Sequence, residues 1–290
     1  MIRLTYYPGC SLKSSSNFYD QSLIKVLAHY GIELKEIDGW SCCGAAAAPT
    51  ISDDLSLILS GRNIALSETL GLPVVIPCSA CYSRMKSTVM KISEDSHIRT
   101  SVNQAITPLS CQGSIEVKNI IEVFLKYVGI ERIAQSGSYD LGHLCFVPYY
   151  GCLLTRITGV RPTDNREDPI GMDNIIKALG GKVVPWQYKT ECCGAASTIT
   201  DENKTARLSG KLLAAAHDAG ADCIVTTCPL CHLNLDLTLH LRKDIAPVPV
   251  LFLSELFELA LFGNIPARKR HVIPVDAIEN RVNNISKTSR

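Results

Sequence analysis

No run of about 18 apolar residues occurs anywhere in the 290-residue chain, so no segment has the length of a membrane-crossing helix. The first residues, Met1-Ile2-Arg3-Leu4-Thr5-Tyr6-Tyr7, lack the basic and then apolar stretches of an export signal. A cytoplasmic location is therefore expected. An excess of either charge is missing too. Lys+Arg number 29 and Asp+Glu 28, which gives no field for nucleic acid or an anionic membrane surface. No glycine-rich phosphate-binding fingerprint is present, so neither flavin nor nicotinamide is expected on this chain. What the chain does have is cysteine, thirteen in all. Without an export signal such a set argues against a disulfide framework, because intracellular thiols stay reduced. Metal binding or catalysis is the better reading. The remaining composition, 46% apolar and 20% charged, suits a globular protein with a sizeable core.

Ten of the cysteines form two matching sets. The first is Cys10, Cys42, Cys43, Cys78 and Cys81; the second is Cys152, Cys192, Cys193, Cys228 and Cys231. The gap between lone cysteine and pair is 31 residues in one copy and 39 in the other, and from pair to CxxC it is 34 in both. From the pair onward every cysteine is offset by 150. The flanks repeat as well: Tyr7-Pro8-Gly9-Cys10 with Tyr149-Tyr150-Gly151-Cys152, Cys42-Cys43-Gly44-Ala45-Ala46 with Cys192-Cys193-Gly194-Ala195-Ala196, and Ser60-Gly61-Arg62 with Ser209-Gly210-Lys211. A single CxxC carries little weight. A five-cysteine pattern repeated in order and spacing within one chain carries much.

The hydrophobic pattern predicts an α/β fold of two pseudo-symmetric units, each a small parallel sheet flanked by helices. Strands are expected at Arg3–Tyr7, Ile32–Ile37 and Pro73–Ile76, and again at Cys145–Tyr149, Val183–Val184 and Cys223–Thr226. Tyr19, Leu23, Val26 and Tyr30 form a helix stripe, as do Met172, Ile175, Ile176 and Leu179. Helices are also expected over Leu55–Leu70 and Thr205–Ala219. Leu233, Leu235, Leu237, Leu239 and Leu241 alternate like a strand, but leucine is a strong helix former and β-branched residues are few, which favours a helix. Val248–Phe262 predicts a short strand and a closing helix, with Asn119–Gly129 as its counterpart. The boundaries expected are 1–140 for the first unit, 141–265 for the second, and a basic tail over 266–290. That tail reads as a surface segment or a partner-binding arm. Each cysteine group follows a strand, and ligands in parallel sheets gather beyond the carboxyl ends of strands.

Four ligands close a structural zinc site or a common iron–sulfur cluster. Five thiols per unit exceed both and suggest an unusual multi-iron cluster. Gly44 and Gly194 allow a sharp turn beside the metal. Each CxxC is expected to open a helix whose amide-rich end favours an anionic cluster. Cys111, Cys145 and Cys223 lie outside the pattern and read as core packing. Among other side chains, His232 directly follows Cys231 and is the candidate second donor or proton source. His143, His217, His240, Arg84, Lys86, Arg156, Arg161 and Arg166 complete the set of candidate polar groups, Arg156 and Arg161 as contacts for an anionic substrate.

The pattern Pro8-Gly9-Cys10, Cys42-Cys43-Gly44, Cys78-x-x-Cys81 and its second copy resembles the cysteine-rich CCG domain family. Two copies in one chain, with Asp168-Pro169, Met172-Asp173 and Cys228-Pro229-Leu230-Cys231, resemble the B subunits of heterodisulfide reductases over residues 1–262. The resemblance implies one noncubane [4Fe–4S] cluster per unit, held by that unit's five cysteines. It implies a mixed-disulfide substrate, in methanogens that of coenzymes M and B, with electrons from a ferredoxin-like C subunit fed by a flavin-containing A subunit. Methanogen members often lack the glycine after the first cysteine pair, whereas both pairs here read Cys-Cys-Gly, closer to members with other substrates. Three other readings stand beside this one. A thiol–disulfide exchange enzyme needs only two cysteines per site. A CCG-type electron-transfer or membrane-docking subunit of a succinate dehydrogenase-like complex shares the motif. A zinc-bound scaffold would be colourless.

Overall fold

The computed structural model describes residues 1–45, 47–157 and 164–288. The first unit runs β1 (Ile2–Tyr6), α1 (Asn17–His29), β2 (Ile32–Glu36), α2 (Asp53–Glu68), β3 (Val74–Val75), α3 (Ser79–Glu94), α4 (Ser96–Ala105), β4 (Val117–Lys118) and α5 (Ile120–Val123), which continues as a π-helical turn over Phe124–Val128. The second runs β5 (Cys145–Tyr149), α6 (Gly171–Ala178), β6 (Lys182–Val183), α7 (Glu202–Asp218), β7 (Cys223–Thr226), α8 (Pro229–Leu241), β8 (Val250–Phe252) and α9 (Leu253–Phe262), followed by α10 (Asp276–Thr288). The two sheets have the orders β2-β1-β3-β4 and β6-β5-β7-β8. Every strand pair is parallel, with registers such as Thr5↔Val74 and Phe146↔Cys223. The fold is therefore α/β with two similar units, as the periodicity predicts.

Local chemistry accounts for the elements. The stripe of Tyr19, Leu23, Val26 and Tyr30 is buried along α1. Ser52 caps α2 by accepting from the Leu55 amide at 3.4 Å, and Asp201 caps α7 by accepting from Lys204 at 2.9 Å. The leucine-rich segment is helical, but its buried side carries polar residues beside Leu235 rather than the Leu237 and Leu241 row. In α8 the buried residues include His232, Asn234, Asp236 and Thr238, whereas Leu237 and Leu241 stay 37% and 48% exposed. The polar residues are buried because the neighbours satisfy them. Asp236 accepts from the Val272 and Ile273 amides, both at 2.8 Å, and Thr238 bonds the Asn234 carbonyl.

The two units share one core. Phe124 stacks on Phe257 across the seam, with ring centroids 4.1 Å apart. The closing helix of the second unit, α9, packs on α1 of the first, and Lys25 pairs with Glu258 at 2.9 Å. Reciprocally, α5 packs on α6. The segment after Gly263 is packed rather than extended into solvent: Ile273, Val275, Ile278 and Val282 are all buried. Two of its basic residues are paired, Arg268 with Glu279 and Arg281 with Asp222.

Candidate metal centre

Each cysteine group lies just past the carboxyl end of a strand. Cys10 follows β1, the Cys42–Cys43 pair follows β2, and Cys78 follows β3 and precedes the first turn of α3, which holds Cys81. The second unit repeats this with β5, β6, β7 and α8. The loops therefore bring five thiols together at one sheet edge in each unit. Cys43 Sγ lies 3.2 Å from Cys81 Sγ, and Cys193 Sγ lies 3.4 Å from Cys231 Sγ. These are contacts between free thiols, far longer than a disulfide bond of about 2.05 Å. Cys42 and Cys43, Cys152 and Cys192, and the two cysteines of each CxxC lie close enough to shift one another's acidity. The two sets also approach one another across the seam between units, where Cys78 and Cys228 shift each other's acidity in opposite directions. Cys43, Cys78, Cys81, Cys193, Cys228 and Cys231 are buried, while Cys10, Cys42 and Cys192 reach the surface.

The backbone is shaped around the sulfurs. Gly9 and Gly151, at φ +73° and +70°, precede the lone cysteines, and a Cβ on either would lie 3.2 Å from the Sγ of Cys81 or Cys231. Gly44 and Gly194, at φ +79° and +84°, turn the chain so that their amides point at Cys42 Sγ (3.4 Å) and Cys192 Sγ (3.3 Å). The Ala45 amide points at Cys43 Sγ, also at 3.4 Å. Such amide donors stabilise thiolate and sulfide. Hydrogen bonds from Cys42 and Cys81 draw Cys43 toward the thiolate, and a bond from Cys152 lowers Cys192 to about 6.

Side chains that the cysteine pattern does not reveal lock the pairs in place. Tyr7 donates to the Ser41 carbonyl at 2.8 Å and Tyr149 to the Glu191 carbonyl at 2.7 Å, each just before a Cys-Cys pair. Burial, then the neighbouring thiols, raise both phenols, which keeps them protonated donors. Asn63 grips Ser41 through its amide and its carbonyl, and Ser209 and Asn234 both donate to the Cys193 carbonyl. The repeated Tyr-x-Gly-Cys flank was the available signal for Tyr7 and Tyr149. Lys189, pinned by Asp168 and Asp173 at 2.7 Å each, and Tyr150, which donates to Asp173 at 2.8 Å, tie the Asp168-Pro169 and Met172-Asp173 motifs to the turn between β5 and Cys152.

The other candidate residues scatter. Arg84 lines a cavity of about 320 Å³ beside Cys152, Cys192, Cys193, Cys228 and Cys231, and its Nε bonds the Ala45 carbonyl at 3.0 Å. Arg156 is paired with Glu167 and Thr190, and Lys86 bonds the Val117 carbonyl. His217, His240 and Arg166 are exposed, and His143 is half-buried. His232 is buried behind the second CxxC, its Nε2 3.1 Å from the Val250 carbonyl, and burial lowers it to about 3, so it is neutral. Arg161 and Ala46 lie outside the described residues.

The donor set fits a multi-iron cluster in each unit. Five thiols converge, amides aim at the sulfurs, and glycines stand where a Cβ would crowd them. Two buried hydroxyls, Tyr19 Oη near Cys78 and Cys228 and Ser79 Oγ beside Cys78, have no partner within the protein.

Comparison with known proteins agrees. The cysteine-rich domain family, CCG, matches residues 4–86 and again 147–236. The 8-methylmenaquinol:fumarate reductase membrane anchor subunit of Wolinella succinogenes is 32% identical over 270 residues, 91% of this chain and 93% of that protein. The B subunit of the ferredoxin/F(420)H(2)-dependent CoB-CoM heterodisulfide reductase of Methanosarcina acetivorans is 28% identical over 270 residues, 90% of each chain. An Archaeoglobus profundus protein named for its likeness to the heterodisulfide reductase B subunit is 27% identical over 273 residues, 90% of this chain and 91% of that one. In fold, a hypothetical protein from Helicobacter pylori superposes with a TM-score of 0.74 at 14% identity, covering 94% of this chain and 52% of that one. With a repeated match over most of both units, the chain belongs to the cysteine-rich CCG family, and it is similar nearly end to end to B subunits of heterodisulfide reductases.

Proposed function

We propose that this chain is the iron–sulfur subunit of a heterodisulfide reductase-like complex. Each unit holds one noncubane [4Fe–4S] cluster on its five cysteines: Cys10, Cys42, Cys43, Cys78 and Cys81 in the first, Cys152, Cys192, Cys193, Cys228 and Cys231 in the second. The substrate is a disulfide, the coenzyme M–coenzyme B heterodisulfide or an analogue. Two electrons and two protons convert it to two thiols. Such clusters, when bound, supply the electrons one at a time. The observation that carries the reading is the cavity shared by the two cysteine edges, where Ser79, Ala80 and Arg84 of the first unit face Cys152, Cys192, Cys193, Cys228 and Cys231 of the second.

The chain's own residues do the rest. Pro49, Ala80, Leu153, Ala195 and Ala196 wall the cavity with apolar surface and limit water. Arg84 is the charged side chain on that wall and orients an anionic substituent of the substrate. Electrons arrive from a ferredoxin-like partner subunit, supplied in turn by a flavin-containing one, and the complex works in the cytoplasm.

A second reading is supported by the Wolinella relative, whose name is that of a membrane anchor subunit. In it the chain docks a fumarate reductase-like or succinate dehydrogenase-like complex and passes electrons without disulfide turnover. Among the described residues no helix is long and apolar enough to cross a membrane.

One experiment separates these. In the complex reconstituted with its C and A subunits, Cys43→Ser and Cys193→Ser are each expected to abolish reduction of the heterodisulfide, even where the other unit keeps its iron. Wild-type protein that gives no turnover with these partners favours the docking reading. Activity that persists in iron-free protein rejects cluster chemistry in favour of thiol–disulfide exchange.

A further inference from the structure

Behind the second CxxC three more metal-ligating side chains converge. His232 stands on α8, Glu255 in the first turn of α9 and His271 in the segment leading to α10, and one donor atom from each lies within 4.8 Å of the others. Residues so far apart in sequence meet because the C-terminal segment folds back over α8, where Asp236 accepts its Val272 and Ile273 amides.

The site is built and dry. The side chains of Glu255 and His271 have no exposed surface, and His271 Nε2 lies 2.9 Å from Glu255 Oε1. The other oxygen, Oε2, accepts from the Phe252 amide at 2.9 Å, which fixes the carboxylate. Phe252 stacks on His232 with centroids 4.2 Å apart, and Phe18 sets its edge against both histidines at 5.9 and 5.6 Å. The Val250 carbonyl, 3.1 Å from His232 Nε2, orients that ring further.

The histidine–glutamate pair alone does not balance. His271 Nδ1 is buried without a partner. As an imidazolium, His271 would have for its second N–H only the Val250 carbonyl, which His232 Nε2 already approaches at 3.1 Å. As a neutral ring, it would leave the Glu255 charge uncompensated in a dry site. A divalent cation compensates the carboxylate with both rings neutral.

We propose that His232, Glu255 and His271 hold a zinc ion, separate from the iron held by the cysteines. Two imidazoles and a carboxylate are a borderline nitrogen–oxygen set, which suits zinc. A water or the Val250 carbonyl completes four-coordination. The first unit has no such site among its described residues. There Tyr82 follows Cys81 and donates to Glu122 at 3.2 Å, and no histidine joins them. Zinc therefore binds once per chain and clamps α8, α9 and the C-terminal segment together beneath Cys228 and Cys231.

The test uses full-length protein, anaerobically purified with its iron in place from zinc-supplemented medium. Elemental analysis is expected to find about one zinc per chain, with X-ray absorption showing nitrogen or oxygen ligands at about 2.0–2.2 Å and no sulfur shell near about 2.3 Å. The double variant His271→Ala, Glu255→Gln is expected to lose the zinc and keep the iron. Iron-replete wild type without stoichiometric zinc, or zinc with a sulfur shell, overturns the proposal. The wild-type spectrum decides the matter even where the variant fails to fold.

Discussion

At the residue scale, the glycine before each lone cysteine is as constrained as the cysteine. Gly9→Ala places a methyl 3.2 Å from Cys81 Sγ at φ +73°, where an L side chain costs about 1–2 kcal/mol. The expected outcome is loss of roughly half of the iron, with the second unit's electron paramagnetic resonance signal retained. Full iron content in Gly9→Ala would show that the approach of backbone to sulfur is not limiting. The unpatterned cysteines should behave oppositely. Cys111 and Cys223 are buried away from both sets, and Cys145 lies half-buried in β5. Replacing each by Ala or Ser is expected to cost about 1 kcal/mol in a denaturation measurement and leave iron content intact. Loss of one unit's iron in any of them would reassign the ligands. The cysteines and the glycines beside them were legible because repetition marks them. Asn63 and Ser209 were not, since their hydrogen bonds reach 22 and 16 residues along the chain and depend on how α2 and α7 dock.

At the element scale, the strands and main helices follow from periodicity, because each buries a stripe that the sequence displays. Periodicity misleads where burial is polar. In α8 the leucines suggest the buried face, yet Asn234 and Asp236 are buried since a cysteine carbonyl and two amides satisfy them. The C-terminal segment hides its role for a related reason. Its basic residues suggest a solvated arm, but Arg281 pairs with Asp222 and bonds the His143 carbonyl, leaving Val275, Ile278 and Val282 to face the core. The packing makes a prediction. Val282 is fully buried, so Val282→Asp would bury a carboxylate without a partner. The cost is expected to be about 3 kcal/mol or more, read as a drop in Tm of roughly 6 °C or more. An unchanged Tm would mean that α10 does not contribute to the folded body in solution.

At the scale of the whole molecule, two units of like topology exchange their closing helices, α9 onto α1 and α5 onto α6, around the Phe124–Phe257 stack. That exchange presses the cysteine edges together, so that Ser79, Ala80 and Arg84 of the first unit face the second unit's cysteines across one cavity. A single unit would expose its cysteine edge to solvent and to oxidation. The pair buries Cys43, Cys78, Cys81, Cys193, Cys228 and Cys231 and sets the sites side by side, as the proposed two-electron reaction with one-electron donors requires. The α/β class was visible in the alternation of strand and helix patterns and the twofold plan in the 150-residue offset, while the approach of the two sets depends on helix packing that no local pattern encodes. The central claim, one multi-iron site per unit, is tested most directly by iron analysis of full-length protein purified without oxygen. Brown protein with about eight irons per chain is the expected result. Colourless protein with zinc on its cysteines and negligible iron would contradict it.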